Sequence, residues 1–160
     1  KGDRMETVIE KAVELGVYEI IPVEMKYCVV KLDAKKKAAR LKRYQAIAES
    51  AAKQSKRSRI PVVHDFMTYR DAMAYAKECD LCLVPYECAK GMEATKDALT
   101  KIRDAKTISI MIGPEGGFAQ EEIDAVKDCM QVVSLGSRIL RTDTAAITTM
   151  SMVMLATEMQ

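Results

Sequence analysis

The sequence predicts an α/β fold in which a mostly parallel sheet is covered by helices on both faces. Segments whose apolar residues have helical spacing alternate along the chain with short apolar runs. Those runs are apolar throughout, as expected for strands that are buried on both faces. The 160 residues contain no internal repeat and no low-complexity linker, and 49% of them are hydrophobic. We therefore expect one domain over residues 1–160.

The first half of the chain predicts two helices and two strands. Apolar residues recur at helical spacing over residues 3–16, and Gly16 is a typical helix stop. Residues 18–23 predict a short strand that ends near Pro22. Asp33 is a favourable N-cap for a long helix that ends at about Gln54. The run "IPVVHDF" at 60–66 predicts the next strand.

The second half predicts three strands separated by helices. Thr68 caps a helix over 69–78, and "DLCLVPY" at 80–86 is a buried strand. A helical turn is predicted for residues 97–103, and "TISIMI" at 107–112 is the next strand. A glycine loop, a helix over 120–129 and a strand over 131–135 follow. The last helix is predicted from Thr142 to the end of the chain.

Three loops follow the predicted strands on the side where α/β proteins bind ligands. In parallel sheets, ligands bind beyond the carboxyl ends of the strands. The loops after Val84, after Ile112 and after Leu135 should therefore lie together at one edge.

The loop "GPEGGF" at 113–118 contains three glycines and one carboxylate, Glu115, but no lysine. It matches neither of the common phosphate-binding glycine motifs. A bound phosphate would meet the like charge of Glu115. The loop thus favours a ligand that is neutral or cationic near the glutamate. A tight turn in which Glu115 caps the following helix explains the spacing equally well.

The loop "LGSRILRT" at 135–142 places Arg138 and Arg141 close to a helix start. Paired guanidinium groups at such a position favour an anion. Ile139 and Leu140, between them, would suit the wall of a pocket for a flat apolar group such as a nucleobase. The alternative is that both arginines pair with surface carboxylates.

The charge distribution indicates a polyanion partner. Residues 26–59 contain twelve lysines and arginines against Asp33 and Glu49, although the whole chain has a net charge of only +2. Gln54, Arg57 and Arg59 follow the basic helix and suit contact with phosphates or bases. A solvated helix face is the alternative.

The remaining features predict a reduced, membrane-free environment and a self-association surface. Five cysteines without a signal peptide favour free thiols in the cytoplasm. Cys79 and Cys82 form one CxxC motif, but only one histidine is present, so we expect no metal site. The last helix is apolar or small nearly all round, which is typical of a homodimer face or of a core helix.

Four motifs in order resemble the SPOUT-class ribosomal RNA small-subunit methyltransferases of the RsmE family. They are "KAVELGV" at 11–17, "AESAAKQSKRSRIP" at 48–61, "IGPEGGF" at 112–118 and "LGSRILRTDTA" at 135–145. The resemblance covers essentially the whole chain. Three positions depart from the family pattern: Ser137 replaces a proline, Asp143 a glutamate and Tyr27 an arginine.

The resemblance implies an enzyme that transfers a methyl group from S-adenosylmethionine to N3 of a uridine in 16S ribosomal RNA. It also implies a C-terminal trefoil knot, a homodimer and no metal. Family members have an N-terminal PUA-like RNA-binding domain without a counterpart here, so the chain is expected to be the catalytic domain. Another SPOUT specificity, or a non-catalytic RNA-binding module, remains an alternative. A dinucleotide-dependent oxidoreductase is disfavoured because GxGxxG is absent.

The resemblance also assigns roles to residues. Arg138, Arg141 and Glu115 would be catalytic, although Glu115 could instead hold the amino group of the methyl donor. Gln54, Arg57 and Arg59 would contact RNA. The methyl donor would be bound by Leu83, Ile112, Gly113, Glu115, Gly116, Leu135, Gly136, Ile139, Leu140 and Thr144.

Overall fold

The computed structural model describes residues 3–28 and 30–159. Within these ranges the chain forms six helices and seven short strands. In chain order they are α1 (Asp3–Glu14), β1 (Glu19–Ile20), β2 (Val23–Glu24), α2 (Ala34–Gln54), β3 (Val62–Val63), β4 (Met67–Thr68), α3 (Tyr69–Ala76), β5 (Leu81–Pro85), α4 (Glu93–Ile102), β6 (Ile108–Ile110), α5 (Gln120–Asp124), β7 (Gln131–Val133) and α6 (Thr142–Glu158).

The N-terminal half packs α1 against α2. The predicted caps explain where these helices begin and end: Gly16 has φ +94° just after α1, and Asp33 Oδ1 accepts a hydrogen bond of 2.8 Å from the Lys36 N–H. Two parallel strand pairs, β1 with β3 and β2 with β4, lie beside the helices. The two helices share a core cluster of buried residues that consists of Ile9, Val13, Tyr44, Ala48, Ala51 and Ala52.

The C-terminal half contains a parallel three-stranded sheet in the order β6-β5-β7. Alternate residues of β5 pack on opposite faces, as the pleat of a strand requires. Leu81 and Leu83 belong to a core cluster with residues of α4 and α6. Cys82 and Val84 belong to a second cluster that includes residues of α3 and α5. Helices therefore cover both faces of this sheet, as the continuously apolar strand indicated.

The structure corrects several predicted element boundaries. The segment predicted as one strand at 18–23 is divided into β1 and β2, because Pro22 has no N–H to extend a ladder. The strand predicted over 60–66 is only Val62–Val63, and β4 was not predicted. Helix α4 begins at Glu93 instead of residue 97. Helix α5 ends at Asp124, and the predicted continuation to 129 consists of separate turns such as Cys129 N–H to Val126 O.

The sheet prediction is also coarser than the structure. Every recorded strand pair is parallel, but the hydrogen bonds form three short sheets instead of a single one. The predicted end of the last helix at residue 160 lies outside the described residues, in which α6 ends at Glu158. No helix in the described ranges combines the length and apolarity that crossing a bilayer requires.

Candidate functional site

A cavity of about 280 Å³ lies where the carboxyl ends of β5, β6 and β7 meet. All three loops that the sequence placed at this edge contribute to it. The residues that line it are Arg4, Pro85, Tyr86, Glu87, Ile112, Gly113, Pro114, Glu115, Gly116, Gly117, Phe118, Leu135, Gly136, Arg138, Ile139, Leu140, Arg141, Thr142 and Ala145.

The glycine loop, residues 112–118, is held by close packing that tolerates little extra volume. A Cβ on Gly116 would lie 2.8 Å from Tyr27 Cβ and 2.9 Å from Tyr27 O. A Cβ on Gly113 would lie 3.0 Å from the ring of Phe118. Gly117 has φ +79°, and its N–H donates to Pro114 O at 2.9 Å, which closes the turn. These glycines therefore serve close approach and turn geometry.

Behind the glycine loop, the carboxylate of Glu122 joins two segments that are far apart in sequence. Oε1 accepts the Lys26 N–H at 3.0 Å and Oε2 accepts the Ala119 N–H at 2.8 Å. The Tyr69 hydroxyl donates to Glu122 O at 2.6 Å, and burial followed by the nearby Glu122 charge raises the pKa of Tyr69 to about 12. These bonds fix the residues before α2 against the start of α5.

The second loop, residues 135–142, follows a residue anchored in the core and then turns outward. Ser134 is buried; its N–H donates to Thr95 Oγ1 at 3.1 Å, and the Thr95 hydroxyl donates to Ser134 O at 2.7 Å. Gly136 has φ +114° and redirects the chain. Arg138 is exposed, and Ile139 is 81% exposed. The loop therefore presents side chains to solvent at the cavity mouth from a rigid base.

The third loop supplies an aromatic wall. The Tyr86 N–H donates to Val133 O at 3.0 Å, which continues the ladder between β5 and β7. The Tyr86 ring meets Phe118 edge-on, with centroids 6.3 Å apart and an interplanar angle of 74°. A hydrogen bond with Cys88 and partial burial raise the pKa of Tyr86.

Charges of both signs meet at the cavity. Arg4, in the first turn of α1, places Nη1 3.4 Å from Glu115 Oε1. Arg138 and Arg141 line the cavity together with this pair. The site thus combines two carboxylates, those of Glu87 and Glu115, with three guanidinium groups, so it can contact both a cationic and an anionic part of one ligand.

Most of the predicted catalytic and donor-binding residues lie around this one cavity. Leu83 and Thr144 do not line it. Leu83 is fully buried because it points from β5 into the core shared with α4 and α6. Thr144 is exposed in the first turn of α6. The predicted residues that do line it are Ile112, Gly113, Glu115, Gly116, Leu135, Gly136, Arg138, Ile139, Leu140 and Arg141.

The predicted RNA-binding residues lie elsewhere, at the carboxyl end of α2. Arg57 Nη1 donates to Val13 O at 3.0 Å and to Val17 O at 2.8 Å, so this guanidinium fixes the end of α1. The Arg59 guanidinium lies 3.8 Å from the centroid of the Tyr18 ring. Gln54 is exposed in the last turn of α2. Their contact with RNA stays a prediction.

The cysteines and acidic residues form no recognisable metal centre in the described part of the chain. No group of three or more His, Cys, Asp or Glu residues is arranged there to hold an ion. Cys82 is buried and its thiol donates to Ala76 O at 2.9 Å. Burial raises the pKa of Cys79, which disfavours its thiolate.

Sequence reasoning missed the contributions of the N-terminal half. Arg4 lines the cavity and Tyr27 supports the glycine loop, yet each is about ninety or more residues from that loop. No local pattern could have indicated these contacts. Phe118, Tyr86 and Glu87 were also unnamed, although the loops that contain them were predicted at this edge.

Comparison with known proteins finds a matching family. A family model described as an RNA methyltransferase domain matches residues 1–154. A Bacillus subtilis protein named ribosomal RNA small subunit methyltransferase E is 34% identical, over 99% of this chain and 64% of its own length. A protein of the same name from Mesomycoplasma hyopneumoniae is 40% identical, over 92% of this chain and 62% of its length. The chain thus spans under two thirds of these relatives.

Two solved structures share the fold. The ribosomal RNA small subunit methyltransferase E of Neisseria gonorrhoeae, solved with S-adenosylmethionine bound, has a TM-score of 0.79 and 34% identity. The match covers 94% of this chain and 60% of that one. A Legionella pneumophila protein in complex with bound SAM has a TM-score of 0.89 and 34% identity, over 98% of this chain and 63% of that one.

Proposed function

Since the chain belongs to the RNA methyltransferase domain family, we propose that it methylates N3 of a uridine in 16S ribosomal RNA with S-adenosylmethionine as methyl donor. The observation that supports this most directly is the single cavity shared by the loops 112–118 and 135–142. Both loops also contain the motifs that resemble the RsmE family.

The charges and the volume of the cavity support S-adenosylmethionine as its ligand. The donor has a positive sulfur, an amino group and a carboxylate, and the cavity places Glu115 among arginines. Its volume of about 280 Å³ is near the lower end of the ~300–1,000 Å³ typical of small-ligand sites. Gly113 and Gly116 let the loop backbone pack closely on Phe118 and Tyr27, because a side chain at either position would collide with those residues. We propose that backbone groups of both loops hold the adenosine.

The proposed chemistry needs N3 of uracil to lose its proton. When bound, S-adenosylmethionine would supply an electrophilic methyl group on its positively charged sulfur. As the N3 proton leaves, negative charge spreads to the two carbonyl oxygens of the base. Arg138 or Arg141 would stabilise that charge, by about 3–4 kcal/mol if it acts as an oxyanion-site donor does. The other residues of the site would mainly position the two reactants.

Two roles remain open for Glu115, namely proton acceptor from N3 or partner of the donor's amino group. The Arg4 guanidinium, 3.4 Å from Glu115 Oε1, favours the second role, because it orients this carboxylate at the cavity wall. We also propose RNA contacts for Gln54, Arg57 and Arg59. The methyl donor would further be bound, from just outside the cavity lining, by Leu83 and Thr144.

We further propose a trefoil knot formed by the C-terminal loops, a homodimer and a cytoplasmic location. The three loops that meet at the carboxyl edge are consistent with such a knot. Another SPOUT specificity is the alternative for the target base.

The test combines donor binding with methyl transfer. We expect the chain to bind S-adenosylmethionine in the micromolar range or tighter by calorimetry, and to transfer a methyl group to small ribosomal subunits. Arg138→Ala and Arg141→Ala should keep donor affinity, and at least one should lose about 10²–10³-fold in kcat. Arg70→Ala, an exposed arginine of α3, is the matched control. No donor binding by the wild type would refute the proposed function, and near-wild-type rates in both variants would refute the role of the arginines.

A further inference from the structure

The lysines and arginines of the basic segment 26–59 fall into two groups. One group is engaged within the fold: Lys26 with Glu121, Lys37 with Glu24, Arg43 with Glu6, Lys53 with Glu49, Arg57 with two backbone carbonyls and Arg59 with the Tyr18 ring. The other group has no ion-pair partner in the part of the chain that the structure describes. Apart from Lys56, that group consists of Lys31, Lys35, Lys36, Arg40 and Lys42, here called the cationic surface.

Two of these cations are placed where they do not stabilise the fold. Lys35 and Lys36 occupy the first turn of α2, which contains no acidic residue. Positive charge at this end of a helix is unfavourable, by a few tenths of a kcal/mol to about 1 kcal/mol per residue. All members except Arg40 are exposed, and Arg40 is half-buried. Concentrated, unpaired and locally destabilising charge favours an external anionic partner.

Contacts between α1 and α2 place the cationic surface at the same end of the molecule as the cavity. Arg43, near the middle of α2, pairs with Glu6 in the first half of α1, and Arg57, just beyond α2, donates to the carbonyls of Val13 and Val17 at the end of α1 and just after it. The two helices therefore run parallel. Since Arg4 reaches Glu115 in the cavity, the start of α1 lies near its mouth, and the first turns of α2, which precede Arg43, extend past Glu6 toward the same end.

A second contact ties the cationic surface to the glycine loop. Tyr27 packs on Gly116, and the Lys26 N–H is bound by Glu122, so the chain passes from the cavity edge to Lys31 within a few residues. The opposite end of α2, with Gln54 and Arg57, lies about 30 Å away, because 21 residues rise ~1.5 Å each.

We propose that the cationic surface binds the phosphate backbone of the RNA whose base enters the cavity. This inference rests on the proposed function and adds the path of the substrate. Lysine ammonium groups contact phosphates without base preference, so the surface would set affinity and register instead of target choice. Arg4 would continue the cationic path from α2 to Glu115.

The test compares two triple variants with the same loss of charge. Lys35→Gln/Lys36→Gln/Arg40→Gln changes the cationic surface. Lys96→Gln/Lys101→Gln/Lys127→Gln, the control, removes three lysines that pair with carboxylates three or four residues away. The probe is a fluorescein-labelled 20-nucleotide single-stranded RNA, whose affinity is measured by anisotropy at several NaCl concentrations. Calorimetry with S-adenosylmethionine is run on each protein.

We expect the first variant to lose about tenfold or more in RNA affinity at 0.1 M NaCl, with a salt slope smaller in magnitude by ~2. The control should remain within about twofold of wild type, and donor affinity should be unchanged in both. Equal losses of RNA affinity in the two variants would overturn the inference. So would a first variant that keeps its RNA affinity and loses only binding to vesicles that contain phosphatidylglycerol. Absence of donor binding in all three proteins would instead refute the proposed function and leave the RNA comparison interpretable.

Discussion

At the scale of single residues, Gly116 joins the two halves of the chain beside the cavity. Its Cα faces both the side chain and the backbone carbonyl of Tyr27, so no atom larger than hydrogen fits between them. Gly113 differs, because the atoms it faces belong to the Phe118 side chain, which can rotate.

This difference predicts unequal effects of adding a methyl group. Gly116→Ala should destabilise the protein by about 1–3 kcal/mol, since the backbone around Tyr27 must shift. It should also weaken S-adenosylmethionine binding. Gly113→Ala, the matched control, should cost less because the Phe118 ring can move. Urea unfolding and calorimetry provide the measurements, and an equal loss of stability in both variants would contradict the packing argument.

A second prediction at this scale concerns alkaline pH. Burial, and then the charge of Glu122, raise the pKa of Tyr69 to about 12, above the value near 10 in an unfolded chain. The folded state thus favours the protonated phenol, which donates to Glu122 O. Its contribution is fully present below about pH 10 and is lost as pH rises toward 12.

Tyr69→Phe should therefore be less stable than wild type by about 1 kcal/mol below pH 10. The difference should shrink between pH 10 and 12, where the wild-type phenol begins to ionise. Urea unfolding of both proteins at stepped pH measures this gap. A gap that stays constant up to pH 12 would show that the phenol does not titrate in this window.

At the scale of elements, the start of α2 depends on one carboxylate. Asp33 Oδ1 accepts the Lys36 N–H at 2.8 Å and is the acidic group closest in sequence to the cations of the first turn. Asp33→Ala should cost about 1 kcal/mol of unfolding free energy, within the usual range of ~0.5–2. Asp33→Asn keeps an acceptor and should restore most of that loss. If Asn and Ala variants unfold at the same urea concentration, the cap bond is not the cause.

Local chemistry explains which elements could be predicted from the sequence. The caps Asp33 and Thr68 each accept an N–H in the expected register, and the buried strand β5 has helices on both faces. Strand β4 could not be foreseen, because Met67–Thr68 is defined only by pairing with Val23–Glu24 more than forty residues earlier. Two-residue strands have no periodicity of their own.

The candidate site likewise has parts that the sequence could predict and parts that it could not. The loops 112–118 and 135–142 were predictable, because the glycines, the carboxylate and the arginines are contiguous in sequence. Arg4 was not, because it reaches Glu115 through the packing of α1 on α6. The commitment of Arg57 to the carbonyls of Val13 and Val17 is likewise a tertiary contact.

At the scale of the whole molecule, α6 is an apolar helix that the rest of the single chain covers only in part. It packs on α1 and α4, yet only Ala146, Thr149 and Ala156 of its seventeen residues are fully buried. Its outer face presents Thr144 and Thr148, with Leu155 at 50% exposure. Small residues permit close approach of a second helix, and this face begins beside the cavity at Arg141.

We therefore expect the proposed homodimer to form through this face. Thr148→Arg places a bulky charge at its centre and should convert the dimer to a monomer, whereas Thr100→Arg on the exposed side of α4 should not. Sedimentation velocity distinguishes the 17.8 kDa chain from a particle of twice that mass. Loss of the dimer should also lower methyl transfer more than donor binding if the partner completes the RNA site. A wild-type monomer would refute the dimer, and a Thr148→Arg dimer would place its interface on another surface.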